Sequence, residues 1–284
     1  MSHNPQAALA QEFRLPGHAV LALAGRDALA FAQAQFMNDV AALGDGQWQW
    51  NGWLTPKGRV IALFGLLRLE AETLWLLLPD AGAPGLAAQL QRFVFRSKVT
   101  LAARADLHAI GRFAAPAAAS GSAAAPIDGG FELDLGGDGG PRCLRIAAIG
   151  AAPDPALAAR WRAFDLQHGL PRLDADQVEA WTPQQLSLDR LRAFSVKKGC
   201  YPGQEIVART HFLGKVKREL MRLQGAGVGS LGEVADGDAR PAGQLVCAEG
   251  DQGLAVMPID AGDGPFSTAN QPCTRLPLLD GLAR

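Results

Sequence analysis

The spacing of hydrophobic positions changes several times along this chain, and each change marks an element. Val20–Ala24 is a short apolar run that reads as a strand. Gly25-Arg26-Asp27 then opens a helix, with Asp27 at the N-cap and Leu29, Phe31, Phe36, Met37 and Val40 as its apolar positions. Trp48, Trp50 and Trp53 stand among polar residues, as in a strand with one buried face. Thr55-Pro56-Lys57-Gly58 is a turn, and Arg59–Leu69 and Thr73–Leu78 follow as the strands of a hairpin. Ala83–Phe93 reads as a helix and Lys98–Ala103 as a further strand.

Ala114–Gly130 is rich in Ala, Gly, Ser and Pro and has little to bury, which predicts a long exposed or partly disordered connection. Phe131–Leu135 and Cys143–Ile149 are short strands. Pro155–His168 is a helix: Pro155 suits its first turn, and Gly169 sits where a left-handed C-cap belongs. Leu157, Trp161, Phe164 and His168 share one face of it. After Thr210 the pattern becomes short strands broken by glycines: Leu220–Leu223, Gln244–Ala248 and Leu254–Pro258. This order predicts an α+β region over residues 1–220 and a C-terminal β-barrel domain over 221–284.

Composition narrows the function classes. With 284 residues and 48% hydrophobic positions, the chain has material for two or three packed units. The formal net charge of −1 gives no overall attraction to nucleic acid. No apolar run reaches the ~18 residues of a membrane span, and Met1–Glu12 lacks the pattern of a signal peptide. A cytoplasmic protein with no membrane partner is the expectation. Cys143, Cys200, Cys247 and Cys273 are far apart in sequence, so they form no CxxC pair or compact metal cradle, and no metal site is expected. Cys143 and Cys247 lie in apolar strand contexts and read as small buried hydrophobes.

Cys200 is different. It lies within Lys197-Lys198-Gly199-Cys200-Tyr201-Pro202-Gly203-Gln204-Glu205, at the expected start of a helix. A free thiol has a pKa near ~8.5, and nearby cations or helix N–H groups lower it. Lys198 is the candidate activating group. Gly199 and Gly203 permit tight bending, and Gln204 and Glu205 can orient a polar ligand or cap the helix. A cysteine beside lysines with no neighbouring histidine also fits an ordinary surface loop. No GxSxG, HExxH, P-loop or GxGxxG pattern is present.

Lys198-Gly199-Cys200-Tyr201-Pro202-Gly203-Gln204-Glu205 resembles the K-G-C-[FY]-x-G-Q-E signature of the YgfZ family, folate-binding relatives of the glycine cleavage T-protein. Gln167-His168-Gly169-Leu170-Pro171 and Thr182-Pro183-Gln184-Gln185-Leu186 precede it at the family's distances. Val207-Ala208-Arg209 and Gly214-Lys215-Val216-Lys217-Arg218 follow it. Upstream, the segments Gln33–Val40 and Lys57–Val60 resemble the family's N-terminal landmarks. The match is most specific over residues 165–218.

The resemblance implies a T-protein-like fold: interlocked ferredoxin-like α+β subdomains, a C-terminal β-barrel, and a central cleft that takes tetrahydrofolate or a derivative. It implies a role in maintaining iron–sulfur enzymes, including tRNA-modifying ones, with those enzymes or cluster-assembly proteins as partners. Cys200 inherits the role of the family's functional cysteine. Trp161 matches a helix tryptophan that lines the folate site, although a tryptophan on an apolar helix face is equally a core residue. His18 takes the place of an N-terminal aromatic, and Gln204, Glu205 and Arg209 complete the expected set. T-proteins carry an acidic pair where this chain has Ala62 and Leu63, so folate binding without glycine cleavage is expected. The alternative is a folate-dependent one-carbon transferase.

Nine basic residues against two acids give the 190–222 segment a local charge of +7. A solvated face explains this, as does an anion site for a folate tail or for RNA. Phe194, Tyr201 and Phe212 are its only aromatics, which makes single-strand stacking there unpersuasive.

Overall fold

The computed structural model describes residues 11–284 apart from Lys215 and Ser230. The signal-peptide reading of the first ten residues, and Lys215 of the basic motif, lie outside the described residues. The chain runs β1 (Phe13–Arg14), β2 (Ala19–Ala24), α1 (Ala28–Gln35), β3 (Gln47–Leu54), β4 (Val60–Glu70), β5 (Thr73–Leu78), α2 (Ala83–Gln91) and β6 (Thr100–Ala103). It continues through β7 (His108–Arg112), β8 (Ala125–Ile127), β9 (Gly130–Asp134), β10 (Cys143–Ala147), α3 (Pro155–Gln167) and α4 (Gln204–Phe212). The last strands are β11 (Arg218–Gln224), β12 (Glu233–Asp236), β13 (Pro241–Glu249), β14 (Gln252–Pro258), β15 (Phe266–Thr268) and β16 (Gln271–Leu276).

Two five-stranded sheets interlock. One has the order β3-β4-β5-β2-β6, the other β1-β7-β10-β9-β8. The interlock follows from β1: it precedes the first sheet in sequence yet pairs with β7 of the second, Phe13 opposite Gly111. The last six strands close into a barrel, β11-β14-β13-β12-β15-β16. The α+β class with a C-terminal barrel is therefore present, and closure leaves the barrel no unpaired edge. Beyond β16 the chain returns to the sheets. The Trp50 Nε1–H donates to the Leu282 carbonyl at 2.8 Å, and the Arg284 guanidinium bonds the carbonyls of Asp134 and Gly136.

Four local expectations are corrected. The first helix does not reach Val40; it stops at Gln35, and Phe36 turns extended to bridge Trp53. The Met37 amide then bonds the Gly52 carbonyl at 2.9 Å, an approach that Gly52 permits because a Cβ there would lie 2.6 Å from Met37 Cε. Strand pairing has overridden helical spacing. Asp27 stands at the N-cap position without capping, since its Oδ2 accepts the Lys98 amide at 2.7 Å.

The tryptophan strand is buried on both faces, not one. Trp48 and Trp50 enter the core between the sheets, whereas Trp53 packs with Phe36 and Phe64 beneath the helices. The 114–130 stretch is an ordered part of the second sheet. Glu132 Oε1 accepts the amides of Ala118 and Ala119, and the Trp48 amide donates to the Ser122 carbonyl at 2.9 Å. Here polar side-chain and backbone bonds replace the apolar burial that the composition lacks. Helix α3 matches its expected form: Asp154 Oδ1 accepts the Leu157 amide, and Gly169 adopts φ 69°.

Candidate functional site

The loop bearing Cys200 is held on both sides of the thiol. The Ser195 hydroxyl oxygen accepts the amides of Lys197 and Lys198, both at 3.2 Å. Tyr201 is buried and donates its hydroxyl to the Ser195 carbonyl at 3.1 Å. Gln204 Nε2 reaches back to the Lys198 carbonyl at 3.0 Å. Gly203, at φ 80°, packs so closely on the 55–58 turn that a Cβ would lie 2.6 Å from the Thr55 carbonyl oxygen. Lys197, Gly199 and Cys200 are exposed, and nothing lies within 4 Å of a Cβ at Gly199.

Cys200 is the exposed thiol of the four; Cys143, Cys247 and Cys273 are buried. Burial pushes the Cys143 thiol up to about 11 and the Cys247 thiol up to about 12. Those two are inert hydrophobes at neutral pH, as their sequence contexts suggest.

Lys198 does not face the thiol. Its ammonium is buried and donates to three carbonyls at the end of α1: Gln33 and Phe36 at 2.6 Å and Asn38 at 3.0 Å. Burial pushes its pKa down to about 8. Direct activation of Cys200, read from adjacency in sequence, thus has no contact behind it. Lys198 anchors the loop instead. The helix contribution is also reduced, because α4 begins at Gln204 and the Gln204 amide already bonds the Tyr201 carbonyl at 3.1 Å. Glu205 and Arg209 lie on exposed turns of α4.

Trp161 and His18 lie elsewhere, in a recess between the two sheets that is continuous with solvent and whose enclosed part is small, about 30 Å³. Trp48, Trp50, Asp165 and Arg172 share its wall, and no residue of the Cys200 loop does. Trp161 is 1% exposed; Phe13 and Phe113 meet it edge-on, and the Arg142 guanidinium sits 4.1 Å from its ring. One face is therefore covered, and any ring stacking is confined to the other.

The cavity has a polar end that the sequence reading missed. Asp165 is fully buried between two arginines, 2.6 Å from Arg142 and 3.2 Å from Arg172, and Arg172 also pairs with Asp80 at 2.8 Å. The sequence held a sign of this: Asp165 sits beside Phe164 on the face carrying Trp161 and His168, where a charge needs a partner. Burial and the Arg172 charge lower the His18 pKa to about 3, so its imidazole is neutral at physiological pH. The lining is aromatic along its sides and charged at one end.

Two further recesses are present, the first of them next to this one. One shares His18 and adds Arg14 and His108. The other brings Ala62 and Leu63 next to Asp80. The missing acidic pair thus has a carboxylate near its place, with its pKa raised by burial against the opposing pull of Arg172. Both Asp80 oxygens are committed, Oδ1 to Arg172 and Oδ2 to the Leu173 amide.

The basic segment does not form one surface. Lys198 is buried, Arg190 pairs with Asp280 at 2.6 Å, and Arg222 bonds Gln252. Among the described residues, no three His, Cys, Asp or Glu side chains cluster so as to hold a metal ion, and no helix is long and apolar enough to cross a membrane.

No protein-family model matches the chain. The chain is similar to the tRNA-modifying protein YgfZ of Cronobacter sakazakii, 30% identical over 229 residues that cover 74% of this chain and 69% of the relative. It is also similar to a mitochondrial iron–sulfur cluster assembly factor IBA57 homologue of Mycosarcoma maydis, 29% identical over 74% of this chain and 56% of that one. In fold it resembles the glycine cleavage system aminomethyltransferase T of Bartonella henselae, with a TM-score of 0.71 at 15% identity, covering 96% of this chain and 86% of that chain. The interlocked sheets, the closed barrel and the sequence similarity together assign this chain to the YgfZ family.

Proposed function

We propose that this protein binds a tetrahydrofolate and supports the assembly or repair of iron–sulfur enzymes, tRNA-modifying ones among them, through the thiol of Cys200. The observation that carries the reading is the exposure of Cys200 on a loop held on both sides of the thiol. A thiolate so presented is a soft ligand for iron and a nucleophile toward sulfur. The relatives named for tRNA modification and for iron–sulfur cluster assembly point to the same chemistry.

In this reading the pterin occupies the cavity lined by Trp50, Trp161, Asp165 and Arg172, with neutral His18 at its edge. The glutamate carboxylates then lie in the adjoining recess toward Arg14. Bound folate supplies one-carbon and reducing capacity. The protein's own part is to exclude water from the ring and fix its edge by hydrogen bonds. A one-carbon transferase needs a free carboxylate at the ring, and Asp80 and Asp165 are both tied to arginines.

The test has two arms. Titration with tetrahydrofolate is expected to change the tryptophan fluorescence saturably at micromolar ligand, since three of the six tryptophans line the cavity. Absence of any response removes the folate half. Cys200→Ser is expected to fold normally and to fail in restoring cluster-dependent tRNA modification to cells lacking the protein; full restoration removes the thiol half.

A further inference from the structure

The segment following α2 carries an exposed feature that neither the thiol nor the cavity accounts for. Phe95 is 87% exposed and Phe93 is 38% exposed, on either side of the buried Val94. Backbone bonds hold the turn: the Phe93 amide to the Leu90 carbonyl at 2.9 Å, and the Ser97 amide to the Val94 carbonyl at 2.8 Å. Phe95 sits at φ 43°, a conformation that a bulky residue keeps only where its surroundings impose it. The ring is thus presented outward by a fixed turn.

Arg92, Arg96 and Lys98 are exposed around these rings. Residues 81–105 contain four cations and no acid. Among the described residues Arg92, Arg96 and Lys98 make no ion pair. The carboxylate of Asp27 accepts the Lys98 amide at 2.7 Å and lies 3.6 Å from Arg26. Interleaved rings and cations of this kind are what the 190–222 segment lacks. Phe93 also packs edge-on against Trp53 at 5.7 Å, Trp53 bridges Phe36, and the Phe36 carbonyl accepts the Lys198 ammonium at 2.6 Å. The patch is therefore joined to the Cys200 loop through two packed residues.

We propose that this turn is a docking site for single-stranded RNA, with unpaired bases stacked on Phe95 and Phe93 and phosphates on Arg92, Arg96 and Lys98. A single strand offers ring faces and negative charge at the spacing of adjacent residues, whereas duplex bases are already stacked on each other. A protein partner of ordinary size needs a broader apolar centre than two rings ringed by charge. The inference does not rest on folate binding or on the thiol.

The test is fluorescence anisotropy of a labelled ten-nucleotide oligouridine. The wild-type protein is expected to bind at low salt, and Phe95→Ala to weaken binding by about 5- to 100-fold, the range for loss of one stacked base. Arg96→Ala is expected to lower the slope of log affinity against log salt by about 0.7, as for one phosphate contact on a single strand. Because Phe95 is exposed, its loss leaves folding intact, which circular dichroism checks. Three results would overturn the proposal: no binding in 50 mM salt, equal binding by Phe95→Ala, or a duplex of the same length bound as tightly. Displacement of the oligonucleotide by polyglutamate with no dependence on Phe95 would show a bare cationic patch and would overturn it too.

Discussion

The Lys198 ammonium lies 2.6 Å from the Phe36 carbonyl oxygen, at the point where α1 stops and the chain turns extended. Through that bond the end of one helix and the loop of the exposed Cys200 thiol share an anchor. Lys198→Met leaves three buried carbonyls short of a donor. It is expected to lower stability by about 3 kcal/mol, read as a reduced urea midpoint. Cys200 should also be alkylated at a changed rate, because its loop loses its hold. An unchanged midpoint would show that the three bonds contribute nothing.

Thiol exposure gives a direct stoichiometry. Native protein is expected to react with one equivalent of an aromatic disulfide reagent, and denatured protein with four, since three cysteines are buried. Cys200→Ser should abolish the native reaction and shift stability by less than about 0.5 kcal/mol, as is usual at exposed positions. A second fast-reacting thiol in the native state would contradict the burial of Cys143, Cys247 and Cys273.

Gly203 has no room for a side chain. Its φ of 80° and the 2.6 Å approach to the Thr55 carbonyl both count against Gly203→Ala. We expect a loss of at least about 1–3 kcal/mol and impaired function in the complementation assay, even though the thiol is untouched. Gly199→Ala, where nothing lies within 4 Å, should be tolerated.

His18 supplies a pH dependence. Its folded-state pKa of about 3 lies below the ordinary histidine value of about 6.5, so the unfolded chain binds the extra proton between those values. Its contribution to stability is therefore fully present above pH 6.5 and is lost as pH falls toward 3. Acid unfolding of His18→Gln is expected to be less steep across that window than wild type; identical curves would mean the imidazole is not held neutral.

In the proposed reading the recess beside His18 takes the glutamate tail of the folate and leaves the pterin to the neighbouring recess. Wild type is expected to prefer tetrahydrofolate over tetrahydropteroate, which lacks the glutamate, by about tenfold, or ~1.4 kcal/mol. Arg14→Ala should erase the preference while leaving tetrahydropteroate binding unchanged. If both ligands bind equally well to wild type, the tail does not use Arg14.

What the sequence disclosed followed local rules. Helix α3 was bounded by Pro155 and Gly169, and the strands of the barrel by their glycines, because caps and turns act within a few residues. The exposure of Cys200 on its loop, away from the recess that holds Trp161, was not legible in the sequence. Nor was the direction of the Lys198 side chain, because its partners lie 160 to 165 positions away. The order in residues 114–130 depends on Glu132 and on a strand more than sixty residues upstream. The separation of Trp161 from Cys200 was equally hidden, since motif spacing carries no information about which side of a sheet each element reaches. Asp165 was within reach of a closer reading of α3, but its partners Arg142 and Arg172 became evident only in three dimensions.

The bond from Trp50 to Leu282 has a temporal side. Its two ends are 232 positions apart, so a ribosome working at roughly 5–20 residues per second leaves some 10–50 s between their synthesis. During that interval the Trp50 wall of the recess between the sheets lacks its final partner in the nascent chain. A ligand that requires the finished wall can recognise only protein that has completed this long-range closure, and its presence would favour that product over stalled or truncated forms.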